Sequence, residues 1–271
     1  IYPTKPREDF TSSSKIVLEL IKKYKINSIA IGNGTASQET AAFVAKLIEE
    51  NKLDVKFAVV SEIGASVYSA SKIAIQEYPN LDVTIRGAIS IAQRLRDPMA
   101  ALVKIDPKSL GIGQYQHDVN QKELNIKLEN VTVDLVNKVG VDINSASYKL
   151  LSFISGISET MSKNIIAHKN KIKKFTSKKE LLEVKGIGEK AYEQAVGFLR
   201  IKDGKSILDN TAIHPQNYDV VKNLQKNYKI EEIKDNQIEQ ISKELNCPPL
   251  LLKDIISELL KPGYDVRSEF D

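Results

Sequence analysis

Apolar positions in the first 110 residues alternate between helical and extended spacing. In SSSKIVLELIKKY, Ile16, Leu20 and Tyr24 recur at intervals of four residues, which predicts a helix. The β-branched run INSIAIG predicts a short strand, TASQETAAFVAKLIEEN a second helix and VKFAVV a second strand. ASVYSASKIAIQEY and AISIAQRLRD predict further helices. Strands separated by helices imply a parallel sheet with helices packed on its faces.

Two strands make an incomplete sheet, because they leave apolar faces and edge hydrogen-bonding groups open. We therefore expect neighbouring strands to lie upstream of Ile1 and the chain to be part of a longer protein. Thr35 and Gln38 have the spacing of a capping box, which predicts Thr35 as the cap of the helix that follows the first strand.

From residue 116 onward the pattern is one of helices and turns. QKELNIKLENVTVDLVNKVG predicts a long helix, and shorter helical stretches follow it. Residues 147–168 and 177–198 repeat each other at an offset of thirty residues, so that Gly156 matches Gly186. This is an internal duplication. The last residues, KPGYDVRSEFD, have no periodicity and are predicted to be a linker.

The second copy of the repeat, LLEVKGIGEK, places Gly186-Ile187-Gly188 between two helical stretches. Glycine permits positive φ angles and lets a bulky partner approach the backbone, because no Cβ intervenes. The next helix then begins with unpaired amides and the positive end of its dipole, which form an anion site. A dinucleotide-binding turn needs a preceding strand and a third glycine, and a P-loop needs GxxxxGK[ST]. The sequence meets neither requirement, so a nucleotide cradle is disfavoured.

The order short helix, VKGIG and second helix resembles the helix-hairpin-helix motif, which binds a phosphate of DNA or RNA through hairpin amides without reading base sequence. In the first copy, SGISETM, serine replaces the motif's second glycine, which makes backbone approach to phosphate less favoured, although the serine can cap the helix. The alternative is that paired hairpins form a packed spacer or a protein contact. The candidate nucleic-acid-binding residues are Lys185, Gly186, Ile187, Gly188 and Lys190 in the second copy, and Gly156, Ser158 and Lys163 in the first.

Positive charge is concentrated around the repeat. The whole chain has a formal net charge of +4, whereas residues 141–202 hold twelve Lys or Arg against six acids and are +6 by themselves. This distribution favours an acidic partner such as a nucleic acid. Lysine-rich faces also keep proteins soluble, so a run such as KIKKFTSKK is open to both interpretations.

Composition excludes several classes of protein. With 42% hydrophobic and 27% charged residues, the 271-residue chain has the make-up of a soluble globular protein, and it lacks the long apolar run of a membrane span. Cys247 is the single cysteine, which excludes an internal disulfide and favours a reducing compartment, so we expect a cytoplasmic protein. Three scattered histidines do not favour a zinc site, and no metal or cofactor is predicted.

Longer stretches resemble the Tex family of bacterial transcription accessory proteins. They run in the family's order through essentially the whole chain: IAIGNGTASQET, VVSEIGASVYSAS, LDVTIRGAISIAQRLRDPMAALVKIDPKSLGIGQYQHDV, VGVDINSAS, GFLRI, LDNTAIHP and KPGYDVRSEF. The resemblance implies an N-terminal helical region, a YqgF-type domain of the ribonuclease H fold, tandem helix-hairpin-helix motifs and a C-terminal RNA-binding OB barrel. The chain is expected to enter the YqgF domain after its first strands and to stop just before the barrel.

The implied ribonuclease H fold raises the question of a nuclease site. Nucleases of that fold hold two Mg²⁺ ions with three or four carboxylates. Glu62, just after VKFAVV, stands where the fold carries its second acid, and the first would lie upstream of Ile1. A third acid is expected at the start of the domain's last helix, but the sequence there, TIRGAIS, has Arg86 and no carboxylate. One acid cannot hold two metal ions, so a structural role is favoured for Glu62, and we predict that the chain is not an enzyme.

We therefore predict an α/β fold followed by an all-α region. A partial YqgF/ribonuclease H-like domain occupies 1–115, a connecting helix 116–140, a tandem helix-hairpin-helix module 141–202, and a C-terminal helical region with a linker 203–271. The predicted function is a sequence-independent nucleic-acid-binding scaffold, with the RNA or DNA backbone as partner and RNA polymerase or ribosome components as further candidates. A protein-interaction scaffold is the main alternative, and a Mg²⁺-dependent nuclease acting through Glu62 is less favoured.

Overall fold

The chain divides into two units, one from Ile1 to Val119 and one that begins at Asn120. A computed structural model describes residues 1–260, and the predicted linker at 261–271 lies outside the described residues. Over residues 1–260, no helix combines the length and the apolar character that crossing a membrane requires.

The first unit interleaves helices and strands, as the alternating pattern predicts. Its elements are α1 (Phe10–Tyr24), β1 (Ser28–Gly32), α2 (Ser37–Glu50), β2 (Lys56–Val60), α3 (Ala65–Ser69), α4 (Lys72–Glu77), α5 (Val83–Arg96) and α6 (Pro98–Leu102), with a 3-10 turn at Pro107–Leu110. The stretch ASVYSASKIAIQEY, predicted as one helix, is divided into α3 and α4. The division occurs because Ser71 has an extended backbone and accepts a hydrogen bond from the amide of Ala74 at the start of α4.

The strands β1 and β2 pair in parallel along their whole length. Successive residues of a strand face opposite sides of its sheet. On one side, Ile31 packs against Phe43 and Val44 of α2. On the other side, a Cβ at Gly32 would lie 3.2 Å from the Cδ1 of Ile91 in α5. The pair of strands therefore lies between α2 and α5.

The predicted capping box of Thr35 and Gln38 is wrong. Helix α2 begins at Ser37, its cap residue Ala36 has left-handed angles (φ 61°, ψ 21°), and no side chain caps it. The amide of Ser37 donates to the carbonyl of Gly34, 3.2 Å away. A backbone turn therefore replaces the side-chain cap that the spacing indicates.

The second unit is helical, with one short parallel pair of strands in its described part. Its elements are α7 (Gln121–Val139), β3 (Val141–Asp142), α8 (Tyr148–Leu151), α9 (Glu159–Ile172), α10 (Glu189–Ala195), β4 (Leu199–Arg200), α11 (Tyr218–Asn227), α12 (Ile238–Glu244) and α13 (Pro249–Leu260). The first helix of the second repeat copy is a 3-10 helix, Lys178–Glu183. The β3–β4 pairing joins the beginning of the duplicated region to its end. The prediction of an α/β region followed by an all-α region is confirmed.

The duplicated region buries four pairs of apolar residues at matching positions of the repeat: Leu151 and Leu181, Ile154 and Val184, Ile157 and Ile187, and Ile165 and Ala195. Phe175, between the two copies, and Leu199, just after the second, are buried with them. The C-terminal helices pack on a further cluster formed by Leu208, Ile213, Val221, Leu224, Ile238, Ile241, Cys247, Leu252, Ile255 and Ile256. Each helical part of the second unit thus has apolar contacts of its own, which hold its turns in place.

Candidate nucleic-acid interface

Two tight turns link the helices of the duplicated region: hairpin 1, residues 154–158, between α8 and α9, and hairpin 2, residues 184–188, before α10. Gly156 in hairpin 1 has φ +85° and Gly186 in hairpin 2 has φ +88°. Residues with a Cβ rarely adopt this left-handed backbone conformation, whereas glycine does so readily. The positive φ angle therefore explains why both copies have glycine at the first glycine position of the motif.

An isoleucine anchors each hairpin to the core. Ile157 is 6% exposed and Ile187 is 5% exposed. The amide of Ile157 donates to the carbonyl of Ile154, and that of Ile187 to the carbonyl of Val184, at 3.0 and 3.1 Å. The predicted contact residue Ile187 thus has its side chain in the core and its amide already paired, which makes it an anchor of the hairpin.

Each hairpin is braced by the second helix of the other copy. The Nδ2 of Asn164 in α9 donates to the carbonyl of Lys185 in hairpin 2, 2.8 Å away. Reciprocally, Gln194 in α10 covers hairpin 1 so closely that a Cβ at Gly156 would lie 2.7 Å from its Cβ. Asn164 and Gln194 are thirty residues apart, the offset of the repeat. Our sequence reasoning missed both residues, although the offset was the signal that relates them.

The two hairpins differ in the amides that they leave open. Gly188 (φ −95°, ψ 177°) and Ser158 (φ −77°, ψ 165°) have the same extended backbone, which any residue adopts. The Oγ of Ser158 accepts a hydrogen bond from the amide of Met161, 3.2 Å away. Gly188 has no side chain, and no atom of residues 1–260 lies within 4 Å of where its Cβ would be. Within the described residues, the amides of Lys190 and Ala191 consequently have no acceptor.

Two basic residues belong to hairpin 2 and to the start of α10. Lys185 and Lys190 are both exposed, and neither forms an ion pair with any residue between 1 and 260. The matching positions of hairpin 1 are Ser155 and Thr160, which are uncharged. Glu189, which is also exposed, begins α10 between the two lysines and opposes their charge at short range. Hairpin 2 and the start of α10 therefore form a basic surface, with one acid between the two lysines in the chain.

Lys163, the predicted basic contact of the first copy, is already paired. Its Nζ lies 2.6 Å from the Oε1 of Glu159, one turn earlier in α9. The hydrogen bond from Lys163 lowers the pKa of the Glu159 carboxyl, and the same bond raises the pKa of Lys163. Its Nζ also lies 5.4 Å from the centre of the Tyr148 ring. The matching residue in the second copy is Glu193, so the repeat does not preserve this lysine.

Glu62 lies at the carboxyl end of β2, as the sequence indicates. Its amide donates to the Oδ1 of Asn33 at 3.0 Å, and its carboxylate occupies the place that a side chain at Gly34 would take. The guanidinium of Arg94 lies nearby, with Nη1 donating to the carbonyl of Ser61 at 2.6 Å. Burial lowers the pKa of Arg94, and the charge of Glu62 opposes that shift. Glu62 is therefore a carboxylate beside a buried guanidinium.

Other acids do not join Glu62 in the described part of the chain. Asp82 accepts hydrogen bonds from the amides of Thr84 and Ile85 and so caps α5, just before Arg86. Among residues 1–260, no cluster of three His, Cys, Asp or Glu side chains is arranged to hold a metal ion. Glu62 is thus an exposed carboxylate near a buried guanidinium, and the two form no ion pair among the described residues.

Comparison with known protein families divides the chain into three matched regions. Residues 1–96 match the family described as Tex protein YqgF-like domain. Residues 136–200 match the helix-hairpin-helix motif, and residues 206–267 match a further family described as HHH domain. The second match contains both hairpins, and the third begins just after β4.

Curated relatives align with nearly the whole chain. The transcriptional accessory protein Tex of Neisseria gonorrhoeae is 49% identical over 93% of this chain and 34% of its own length. Protein tex of Bordetella pertussis is 46% identical over 100% of this chain and 35% of its own. S1 RNA-binding domain-containing protein 1 of Homo sapiens is 34% identical over 97% of this chain and 33% of its own. The chain spans about a third of the length of these relatives.

Proposed function

Because the chain belongs to the Tex family through its YqgF-like domain and its two helix-hairpin-helix domains, we propose that it is the nucleic-acid-binding part of a transcription accessory protein. In this proposal the chain contacts the phosphate backbone of RNA or DNA through hairpin 2 and does not read base sequence. The role in transcription comes from the names of the relatives, and the contact comes from the geometry of the hairpin.

The observation that carries the proposal is the open start of α10. The amides of Lys190 and Ala191 have no acceptor within the described residues, and Gly188 leaves free space in front of them. A phosphate oxygen can accept from such amides and is also attracted by the positive end of a helix dipole. Hairpin 1 offers a poorer site, because Ser158 already accepts from the amide of Met161.

The charges around hairpin 2 support the same interpretation. Lys185 and Lys190 are exposed on either side of the open amides and have no acidic partner within the described residues. Each lysine that neutralises a phosphate releases a counterion, so affinity falls as salt concentration rises. Backbone amides and lysines contact phosphates and not base edges, which makes the proposed binding independent of sequence.

The test is fluorescence anisotropy of labelled single-stranded RNA and labelled duplex DNA, titrated with this chain over a series of salt concentrations. The variant Gly188→Glu puts a carboxylate in front of the open amides, and the extended backbone with free space around it accommodates the new side chain. We expect affinity to fall with salt for the unmodified chain and to drop by about tenfold in the variant, because a charge-assisted contact is replaced by repulsion.

The matched control is Ser158→Glu, which introduces the same charge at the equivalent position of hairpin 1. It should weaken binding much less than Gly188→Glu does. Circular dichroism establishes that both variants are folded. Equal losses in the two variants would show that only net charge matters, and no loss in either would remove hairpin 2 from the interface.

A protein-interaction scaffold is the second candidate function, and one observation favours it. Helix α7 exposes the apolar side chains of Ile126, Val131 and Leu135, which are 57%, 63% and 49% exposed. Val131 and Leu135 are four residues apart and so lie on the same face of α7, and grouped exposed apolar residues support association with other proteins. Capture of RNA polymerase or ribosome components that survives high salt and nuclease treatment would favour this function, since phosphate bridging cannot explain such capture.

The surroundings of Glu62 give no support to the nuclease hypothesis. Two Mg²⁺ ions need several carboxylates, whereas the described residues put the guanidinium of Arg94 next to Glu62. The absence of nuclease activity remains a prediction. Incubation of the full-length protein with RNA and DNA at increasing Mg²⁺ tests it: intact substrates agree with the prediction, and cleavage that Glu62→Gln abolishes would contradict it.

A further inference from the structure

The first helix of the second repeat copy is fastened to the segment that opens the following HHH domain. The amide of Lys205 donates to the carbonyl of Thr176 at 2.7 Å, and the Nζ of Lys205 lies 3.6 Å from the Oε1 of Glu180. We call these contacts between residues 176–180 and 205–211 the joint. It links the family match at 136–200 to the match at 206–267.

Lys178 is the centre of the joint and is only 3% exposed. Its Nζ donates to the carbonyl of Thr211 at 2.8 Å, and its backbone amide lies 3.4 Å from the Oδ1 of Asp209. Asp209 is 3% exposed and Thr211 is fully buried. Both ends of Lys178, main chain and side chain, therefore contact the following domain.

Burying a lysine costs free energy, so the hydrogen bonds that Lys178 forms must compensate for its lost hydration. Lysine is rarely buried unless it is paired, because an ammonium loses its hydration. The matching residue in the first copy is Tyr148, so the fold of the repeat does not by itself require a lysine at this position. The second copy therefore buries a basic side chain where the first copy has a tyrosine.

Charged groups from several elements face Lys178. Asp209, in the 3-10 turn Ile207–Asn210, and Glu258 of α13 favour its protonated form, whereas burial and Arg200 of β4 oppose it. Burial is the largest of these effects, and together they lower the pKa of Lys178 to about 7. The hydroxyl of Tyr192, also near Asp209, is buried and has no hydrogen-bond partner among residues 1–260. The joint consequently gains or loses a buried charge near neutral pH.

The position of Lys178 in the chain connects the joint to hairpin 2. Lys178 is the first residue of the 3-10 helix Lys178–Glu183, and hairpin 2 follows that helix directly. Leu181 and Val184, which are 1% and 2% exposed, hold the helix and the beginning of the hairpin in the core. A shift of the helix at Lys178 is therefore transmitted through packed residues to the amides of hairpin 2.

We propose that Lys178 is a positioning residue: by binding the Thr211 carbonyl and the Asp209 carboxylate, it fixes hairpin 2 relative to the segment 205–211 and so makes the two HHH domains one nucleic-acid-binding body. The part of this proposal that concerns binding rests on the proposed function. The part that concerns the joint does not, and it can be measured without nucleic acid.

The first experiment is hydrogen–deuterium exchange of the unmodified chain, of Lys178→Met and of Lys179→Met. The second variant makes the same substitution at an exposed neighbour and is the matched control. At pH 8, where Lys178 is mostly uncharged and still donates to the Thr211 carbonyl, we expect the amides of Ile187 in hairpin 2 and of Lys205 in the joint to exchange about tenfold faster in Lys178→Met, because the lost hydrogen bond makes local opening easier. Lys179→Met should leave both amides unchanged. Equal exchange in all three proteins would overturn the proposal.

The pH dependence of amide exchange distinguishes a role of the Lys178 charge from a role in packing alone. After correction for intrinsic exchange rates, the same amides of the unmodified chain should open more at pH 6 than at pH 8, because Lys178 then carries a buried charge. Lys178→Met should not show this difference. If Lys178→Met does not fold, Asp209→Asn serves instead: it keeps an oxygen for the Lys178 amide and should increase opening at pH 6. A pH-independent joint would contradict the proposal.

Nucleic-acid binding is measured last, by the anisotropy assay used for hairpin 2. Lys178→Met should weaken binding several-fold more than Lys179→Met, because both variants replace one lysine by methionine and only the first releases the hairpin. If the exchange results hold while the unmodified chain binds neither RNA nor DNA, the proposed function is wrong and the joint stands. Equal binding by the two variants would overturn the role of Lys178 in binding.

Discussion

Hairpin 1 and hairpin 2 have one backbone conformation and two different chemistries. Gly156 and Gly186 have φ angles three degrees apart, and each hairpin has an isoleucine anchor in the core. At the start of the following helix, however, Ser158 caps its own helix where Gly188 leaves amides open. The buried positions of the duplication preserve the shape, and the exposed positions decide what the shape can bind.

The hairpins also differ in how closely their first glycine is packed, and this difference is the largest that we expect to measure. A Cβ at Gly156 would lie 2.7 Å from the Cβ of Gln194 and 3.3 Å from the carbonyl oxygen of Ala191. At Gly186 the nearest atom would be the Nδ2 of Asn164, at 3.7 Å. The structure of hairpin 1 is thus more constrained, although hairpin 2 is the better candidate for binding.

Gly156→Ala and Gly186→Ala test that contrast. Both variants force alanine into a left-handed conformation, which costs about 1 kcal/mol, and Gly156→Ala adds a steric clash with α10 of about 1–3 kcal/mol. We expect the free energy of unfolding, measured by urea denaturation, to fall about 3 kcal/mol in Gly156→Ala and about 1 kcal/mol in Gly186→Ala. Equal losses would mean that α10 moves away from hairpin 1 without cost.

The sequence predicted the fold class because its strongest signals are local. The alternation of strand and helix patterns, and the thirty-residue repeat that contains Gly156 and Gly186, depend on residues close to one another in the chain. The capping box at Thr35 failed for the opposite reason. Its spacing was correct, but the carbonyl of Gly34 accepts from the first amide of the helix. The residue pattern alone does not show whether a side chain or a backbone turn caps the helix.

Only part of the candidate site could be predicted from the sequence. Hairpin 2 and its lysines follow from a short motif, whereas the bracing by Asn164 and Gln194 depends on contacts between segments twenty to forty residues apart. The burial of Lys178 is less predictable still, because lysine is normally an exposed residue and its neighbours are Lys174 and Lys179 in a basic run. Tertiary packing, not the pattern, decides which lysine of the run is inside.

The second prediction compares the repeat positions 148 and 178, where only the second copy buries a basic group. The pKa of Lys178 is lowered from 10.5 to about 7, so the folded chain binds fewer protons than the unfolded chain over that range. Unfolding therefore takes up a proton, and stability rises with pH from about 7 upward, with the full cost of the buried charge present below that pH. Between pH 7 and 8.5 we expect the unmodified chain to gain about 1–2 kcal/mol that Lys178→Met does not gain.

The measurement is urea denaturation of both proteins at several pH values. The quantity of interest is the difference between their slopes against pH, which cancels the contributions of other titrating groups. Tyr148→Phe at the matching position of the first copy is a control and should leave the slope unchanged. Parallel curves for the unmodified chain and Lys178→Met would show that Lys178 keeps its ordinary proton affinity when folded.

The third prediction concerns an exchange between Ser158 and Gly188, the residues that precede α9 and α10. In Gly188→Ser the hydroxyl should accept from the amide of Ala191, as Ser158 accepts from Met161, and in Ser158→Gly the Met161 amide becomes free. One hydrogen bond of this kind contributes about 1 kcal/mol. We expect Gly188→Ser to weaken nucleic-acid binding about threefold to fivefold, and the double exchange to restore part of that loss through hairpin 1.

Anisotropy measures the exchange variants at one fixed salt concentration, so that only the amides differ between proteins. Neither substitution changes the charge, and both positions have extended φ angles that serine and glycine share. Binding that is unaffected by Gly188→Ser would mean that the amides of hairpin 2 do not contact phosphate. The contrast between the hairpins would then be one of surface charge alone.

The smallest expected effect concerns the acid that begins each second helix. Glu159 is paired with Lys163, whereas Glu189 is exposed between Lys185 and Lys190 and has no hydrogen-bonded partner among the described residues. Removing the charge in Glu189→Gln should therefore strengthen binding about twofold at low salt and hardly at all at high salt, because exposed charges are screened. Glu159→Gln also removes one acid but releases Lys163, so a larger gain there would place the phosphate contact at hairpin 1 and reverse the comparison.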